Sequence, residues 1–93
     1  MIKLNEYFNG TVKSLGVENT SGKATVGIME VGEYEFGTGA PEKMTLLSGT
    51  WEIKLPGESS FQEYAKNFTV NVPGNSKFQL KITEQSAYLC EFV

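Results

Sequence analysis

Glu42 is the residue of this chain whose type and setting most suggest chemistry. It follows Pro41, and six residues separate it from Gly49. The chain contains no histidine, so the most common general base and the most common metal ligand are both missing. All 11 acidic residues are glutamate and all eight basic residues are lysine, so the guanidinium groups that bind phosphate in bidentate fashion are absent too. Any chemistry must therefore rest on glutamate, lysine, hydroxyl groups and aromatic rings.

The spacing around Glu42 resembles the first sequence motif of the cupin barrels, G-x5-H-x-H-x3-E-x6-G. When the motif glutamate is aligned with Glu42, its last glycine falls on Gly49. The two histidine positions, which usually bind a metal, then fall on Phe36 and Thr38. The first glycine of the motif falls on Glu30, so that end does not match.

A second segment, beginning near Asn67, resembles the other cupin motif, G-x5-P-x-G-x2-H-x3-N. When the motif proline is aligned with Pro73, the glycine positions fall on Asn67 and Asn75, and the histidine position falls on Phe78. Asparagine tolerates left-handed backbone angles better than most residues, so we expect the turns to be preserved.

These replacements predict a cupin-like scaffold without a metal. A lone Glu42 does not provide enough ligands for a transition metal. What remains is an aromatic cavity, formed by Phe36 and Phe78, with a carboxylate and the hydroxyl of Thr38 at its mouth. Such flat faces suit stacking against a nucleobase. The alternative is that the two rings are ordinary core residues and that Glu42 only closes a turn.

Strand signals dominate the rest of the chain. Apolar and polar residues alternate in three segments, with apolar residues at 51, 53 and 55, at 68, 70 and 72, and at 78, 80 and 82. Less regular strand candidates lie near 11–17, 23–29, 33–38, 43–48 and 87–93. Ser60 and Glu63 match a helix capping box, but the segment is short, so we predict a strand or one helical turn there.

Short strands separated by tight turns predict an all-β protein. We expect residues 1–93 to form a single cupin-like domain, an antiparallel β-barrel of the jelly-roll type. A chain of 93 residues buries a small core and exposes strand edges, so we also expect a homodimer.

The charge and the cysteine usage exclude several classes of protein. The net charge of −3 and the lack of a basic face argue against nucleic-acid binding. No segment is apolar enough for a signal peptide or a membrane span, so we expect a cytoplasmic protein without a membrane partner. Cys90, the only cysteine, has no histidine partner, and we interpret it as a half-buried thiol in the last strand.

The order of the motifs along the chain resembles the small cupin-like pyrimidine/purine nucleoside phosphorylases over nearly its whole length. The segments that carry this resemblance are 5–14 (NEYFNGTVKS), 22–29 (GKATVGIM), 32–36 (GEYEF), 41–45 (PEKMT), 48–49, 72–74 and 88–90 (YLC). The resemblance implies a dimeric enzyme that cleaves purine and pyrimidine ribonucleosides with phosphate. The products would be the free base and ribose 1-phosphate.

That reaction, if the resemblance holds, assigns roles to particular residues. Glu42 is the candidate catalytic residue, which would stabilise the ribosyl cation or contact a ribose hydroxyl. The candidate base-binding residues are Phe36 and Phe78, which would stack on the base, Thr38, and, as a weaker candidate, Tyr34. Without arginine, phosphate must be bound by lysine and backbone N–H groups, and the candidates are Lys13 and Lys77. No cofactor is expected, because phosphate is a co-substrate.

Two other functions stay open at this point. One is a non-catalytic module that binds a nucleoside or another aromatic metabolite. The other is a sugar isomerase of the metal-free cupin kind. Turnover that depends on phosphate distinguishes the enzyme from both alternatives.

Overall fold

A computed structural model describes residues 2–92 of the chain and contains ten β-strands and one short 3₁₀ helix, Phe8–Gly10. The strands are β1 (Leu4–Tyr7), β2 (Val12–Asn19), β3 (Gly22–Met29), β4 (Gly32–Gly37), β5 (Glu42–Ser48), β6 (Trp51–Lys54), β7 (Gln62–Tyr64), β8 (Thr69–Val72), β9 (Lys77–Ile82) and β10 (Ser86–Phe92). None of the helical structure in the described part of the chain could cross a membrane. The all-β prediction is confirmed.

The strands form two antiparallel sheets that pack face to face. The large sheet has the order β1-β2-β3-β10-β5-β8, and the small sheet has the order β4-β9-β6-β7. Within residues 2–92 no strand pairing joins one sheet to the other, so the molecule is an open sandwich. The predicted antiparallel, cupin-like arrangement of short strands is confirmed, but the two sheets do not close into a barrel.

The core lies between the sheets, where the alternating segments turn their apolar residues inward. In β9, Phe78, Leu80 and Ile82 are buried, while the residues between them are more exposed. Phe68 is an exception to the predicted pattern. It precedes β8, its side chain is 52% exposed, and its ring lies 4.9 Å from that of Tyr64.

The segment with the capping-box pattern is a strand. Gln62–Tyr64 forms β7 and pairs with β6 at the edge of the small sheet. No helical turn forms here, since a three-residue segment gains more from pairing with a strand than from an isolated turn of helix.

Two asparagines have the left-handed backbone that their place in the second motif predicts. Asn67 has φ 74° and Asn75 has φ 50°. Asn75 lies in the turn before β9, where its N–H donates to the carbonyl of Gly39 at 3.0 Å. This turn packs against the β4–β5 connection, and together they hold Phe36, Glu42 and Phe78 in fixed relative positions.

Candidate functional site

A cavity of about 200 Å³ lies between the sheets at the end where β5 begins. The small sheet contributes the rings of Phe36 and Phe78, and the large sheet contributes all the polar side chains together with further apolar ones. The residues that line the cavity are Tyr7, Ser14, Thr25, Met29, Phe36, Gly37, Glu42, Met44, Phe78, Tyr88, Cys90 and Phe92. Three of the residues predicted from the cupin motifs, Phe36, Glu42 and Phe78, therefore meet in one place.

The aromatic wall of the cavity is built on one cross-strand pair. Phe36 of β4 lies directly opposite Phe78 of β9, and their rings stack with centroids 5.8 Å apart and planes 25° apart. Phe8 and Tyr7 meet Phe36 edge to face at 5.4 and 6.4 Å. These contacts restrict the motion of the Phe36 ring, which lines the cavity.

Glu42 is the only carboxylate among the residues that line the cavity. It is the first residue of β5, and its side chain is half-buried. The thiol of Cys90 donates a hydrogen bond to Glu42 Oε1 across 3.3 Å. Burial raises the pKa of Glu42 above its usual value, and this hydrogen bond lowers it.

Cys90 lies next to Glu42, a proximity that the sequence does not indicate. It lies in the last strand, as predicted, and is more deeply buried than the half-buried thiol that we expected. Because β10 lies between β3 and β5, the Cys90 thiol faces Glu42. Burial, followed by the nearby charge of Glu42, raises the pKa of the thiol far above its ordinary value. The sulfur therefore stays protonated at neutral pH and acts as a hydrogen-bond donor, not as a nucleophile.

Tyr88 forms part of the cavity floor because Gly27 leaves room for it. The two residues are paired across β10 and β3, and a Cβ atom on Gly27 would lie 2.7 Å from two carbons of the Tyr88 ring. Ser14 pairs with Gly27 from the other side. Burial raises the pKa of Tyr88 to about 12, so its hydroxyl stays protonated.

Replacing Gly27 with alanine is expected to displace the Tyr88 ring and to destabilise the protein by about 1–3 kcal/mol, the usual cost of overpacking a core. The new methyl group would also meet the carbonyl oxygen of Lys13 at 2.7 Å. Gly16→Ala is the matched control, because a Cβ atom there has no neighbour within 4 Å. Urea denaturation measures the loss of stability, and the near-ultraviolet circular dichroism of tyrosine reports the displacement of the Tyr88 ring. Equal stability of the two variants would contradict it.

Thr38 and Tyr34 lie outside the set of residues that line the cavity. The Thr38 hydroxyl donates to the carbonyl of Pro73 at 2.7 Å and accepts from the N–H of Ser76 at 3.1 Å. These bonds tie the β4–β5 connection to the turn before β9. The Tyr34 hydroxyl donates to the carbonyl of Glu30 at 2.8 Å. The Tyr34 ring also lies beside Phe36, with centroids 6.2 Å apart.

Lys13 and Lys77 also lie outside the cavity. Lys13 alternates with the inward residues Val12 and Ser14 of β2, and its ammonium group lies 3.5 Å from Glu6. Lys77 precedes Phe78 in β9 and lies beside Lys54 in a separate depression, which shares Phe78 with the cavity. Their role in phosphate binding stays a prediction.

Sequence reasoning missed the polar floor of the cavity, namely Ser14, Thr25 and Tyr88. The available signal was strand parity, since a small polar residue at a core position of a strand is unusual. Ser14, two residues after buried Val12, had that signal. No group of three or more cysteine or acidic side chains within residues 2–92 is placed to bind a metal ion.

Comparison with known proteins shows one family over almost the whole chain. The family model described as pyrimidine/purine nucleoside phosphorylase matches residues 2–92. A protein of Pseudomonas aeruginosa (strain LESB58) with that name is 53% identical over 92 residues, which cover 99% of both chains. A protein of the same name from Tolumonas auensis is 52% identical, again with 99% of both chains covered.

Solved structures show the same fold. A Vibrio parahaemolyticus protein of unknown function superposes with a TM-score of 0.96 at 44% identity and covers 100% of this chain and 99% of its own. A cupin domain from Schizosaccharomyces pombe superposes with a TM-score of 0.70 at 16% identity, covering 98% of this chain and 69% of that one. The second likeness concerns the fold alone and supports its description as cupin-like.

Proposed function

Because the chain belongs to the pyrimidine/purine nucleoside phosphorylase family, we propose that it cleaves purine and pyrimidine ribonucleosides with inorganic phosphate. The products are the free base and ribose 1-phosphate, which makes the protein a pentosyltransferase. The reaction runs in both directions, because a glycosidic bond is exchanged for a sugar phosphate bond of similar energy.

The observation that carries this proposal is a cavity with one aromatic wall and one carboxylate. At about 200 Å³ it is smaller than the roughly 300–1,000 Å³ of pockets that enclose a drug-sized ligand. It therefore accepts one part of a nucleoside, and its flat apolar wall fits the base. Since no lysine is among the residues that line it, the cavity does not favour the phosphate anion.

Each reactive part of the nucleoside then has a partner. The base stacks on the surface formed by Phe36 and Phe78. The Glu42 carboxylate faces the ribose and stabilises the positive charge that develops at C1′ as the glycosidic bond breaks. Cys90 donates its hydrogen bond to Oε1 of Glu42, so the second carboxylate oxygen of Glu42 stays available to the substrate.

The hydroxyl groups of the floor explain how one cavity can accept different bases. The edges of purines and pyrimidines present different patterns of donors and acceptors. A serine, threonine or tyrosine hydroxyl can donate or accept, and it rotates to suit its partner. The polar edge of a base can therefore bind to the hydroxyl groups of Ser14, Thr25 and Tyr88 whichever arrangement of donors and acceptors it presents.

The test is turnover of uridine and adenosine by the purified protein. We expect uracil and adenine to be released only when phosphate is present, and the sugar product to be ribose 1-phosphate. Release of free ribose at the same rate without phosphate would identify a hydrolase. Tight nucleoside binding without turnover would identify a binding module, and conversion of a free sugar would identify an isomerase.

The same assay tests whether a metal is needed. The chain has no histidine, and phenylalanine and threonine occupy the metal-ligand positions of the cupin motif. We therefore expect a chelator to leave the rate unchanged. A rate that falls with the chelator and returns with one divalent metal would contradict this.

We also propose that the active form is a homodimer. The outer face of the large sheet carries an apolar row, Leu4, Leu15, Val26 and Leu89, across four neighbouring strands. The strands β1, β2, β3 and β10 contain 4, 8, 8 and 7 residues, so at about 4.8 Å per strand and 3.3 Å per residue they present roughly 430 Å². Two copies would then bury roughly 850 Å², the size of a small interface. A second copy of this face is the partner of matching shape and polarity.

Light scattering is expected to give about twice 10.3 kDa for the wild-type protein. Val26→Lys places a charge in the centre of the apolar row and should produce a monomer. Val31→Lys is the control, because Val31 is exposed in the β3–β4 turn, outside the sheet. A monomeric wild-type protein, or a dimer that persists in Val26→Lys, would contradict the proposed interface.

A further inference from the structure

The phosphate needed for the proposed reaction must bind next to the cavity rather than inside it. The attacking oxygen has to reach C1′ of a ribose whose base is stacked on Phe36 and Phe78. The cavity lining includes Glu42 and no lysine, so a phosphate anion placed inside would face a carboxylate without a balancing charge. The cationic group must therefore lie where the cavity opens.

The inner face of the large sheet continues beyond the cavity into an open groove. The residues that line the groove include two lysines, Lys3 and Lys23, one carboxylate, Glu18, and also Gly16, Thr25 and Phe92. Thr25 and Phe92 line both the cavity and the groove, so the two adjoin. The small sheet does not extend over this end, which leaves the lysines exposed.

Strand register places Lys23 in line with Glu42. Ala24 pairs with Glu91, so the register continues with Lys23 opposite Phe92, and Phe92 pairs in turn with Glu42. Lys23 and Glu42 are thus two strands apart on one face, about 10 Å between their backbones. That spacing suits a ribose, with the carboxylate on one side and a bound phosphate on the other.

Lys3, which immediately precedes β1, lies beside Gly16 of β2 and approaches the same point. Its carbonyl accepts the N–H of Gly16 at 3.0 Å, and Gly16 pairs with Thr25. Because a Cβ atom on Gly16 would have no neighbour within 4 Å, the floor between the two lysines is open. Lys3 makes no ion pair with any residue from 2 to 92.

Building on the proposed function, we propose that Lys23 and Lys3 bind inorganic phosphate in this groove, with Thr25 at the boundary between phosphate and ribose. In the free protein Lys23 Nζ lies 3.6 Å from Glu18. Both side chains of this pair are largely exposed, so the pair is weak, and a phosphate dianion can replace the carboxylate as the partner of Lys23. Lys13 and Lys77 are the competing candidates.

The first experiment measures binding of inorganic phosphate alone by NMR titration of backbone amides. Lys23→Gln is expected to weaken binding by about fivefold, and the double variant with Lys3→Gln by more, since each removes one charge. Lys13→Gln and Lys77→Gln should stay within about twofold of the wild type. Amide shifts should centre on residues 3, 16, 23 and 25. Weaker binding in the Lys13 or Lys77 variant, with Lys23→Gln unchanged, would overturn the proposal.

Glu18→Gln is the gain-of-function variant. It removes the carboxylate that competes for Lys23, so phosphate should bind about twofold more tightly, and damage to the fold could not produce that result. Unchanged or weaker phosphate binding in Glu18→Gln would count against the groove as the site.

Steady-state kinetics test the phosphate-binding role of Lys23 separately from the proposed phosphorylase activity. With wild-type turnover present, Lys23→Gln should raise the KM for phosphate and leave the KM for uridine within about twofold. An equal rise in both would overturn the proposed role. If the wild-type protein shows no turnover, the proposed function fails, while the phosphate titration still decides whether the groove binds the anion.

Discussion

Glu42→Gln is expected to lower kcat/KM by about two to four orders of magnitude, the range found when a group that acts on the reacting centre is removed. The amide has the same size and can still accept from Cys90, but it carries no charge to stabilise the ribosyl cation. Glu35→Gln is the matched control. Glu35 precedes Phe36 in β4 and is exposed.

Steady-state kinetics and urea denaturation of both variants check this prediction together. The free energy of unfolding should be unchanged or higher in Glu42→Gln, because the variant no longer buries a charge. Turnover at the wild-type rate would show that Glu42 is only a turn residue, and the site assignment would then be wrong.

The pH dependence of kcat/KM follows from the same group. Burial raises the pKa of Glu42, and the charged form is the active one. Activity should therefore be lost as the pH falls through this raised pKa, at a higher pH than for an exposed glutamate.

The hydrogen bond from Cys90 lowers the pKa of Glu42, so Cys90→Ala should move the acid limb of the kcat/KM profile to still higher pH. Cys90→Ser keeps a hydrogen-bond donor for Glu42 and should move the acid limb less. An acid limb that stays in place in Cys90→Ala would contradict the role of this hydrogen bond.

Phe78→Ala is expected to cost about 3–5 kcal/mol of unfolding free energy, a large part of the total for so small a domain. The ring is 2% exposed and stacks on Phe36, so its loss leaves a void beside the cavity. Activity should fall as well, because the surface that stacks on the base loses its support.

Phe68→Ala is the control for this change. Phe68 is 52% exposed, and its truncation should cost far less. Urea denaturation of the two variants gives the comparison. A Phe78→Ala protein as stable as Phe68→Ala would mean that the cavity region adds little to the core.

Several features of the fold could be read from local patterns. Alternation of apolar and polar residues identified β6, β8 and β9, and the residues that point inward in β9 are those predicted. The second motif predicted left-handed angles at Asn67 and Asn75, and both have them. These predictions succeeded because period-two alternation and turn geometry depend on residues that are close in the chain.

Predictions that depended on the surroundings of a residue were less accurate. Thr38 occupies a ligand position of the cupin motif, yet its hydroxyl is satisfied by Pro73 and Ser76. The predicted barrel does not close, because pairing between the edges of the two sheets cannot be read from the strands themselves.

The sequence by itself determined that the protein is all-β and that it lacks histidine, and it predicted that Phe36, Glu42 and Phe78 lie together, as they do in the lining of one cavity. Only the tertiary structure decided which polar groups join them. Cys90 meets Glu42, 48 residues away, because β10 lies between β3 and β5. The same order of strands places Lys23 in line with Glu42. Alternation determines which face of a strand a residue occupies, but the order of strands in a sheet is set by long-range pairing and packing, and this order decides which residues become neighbours.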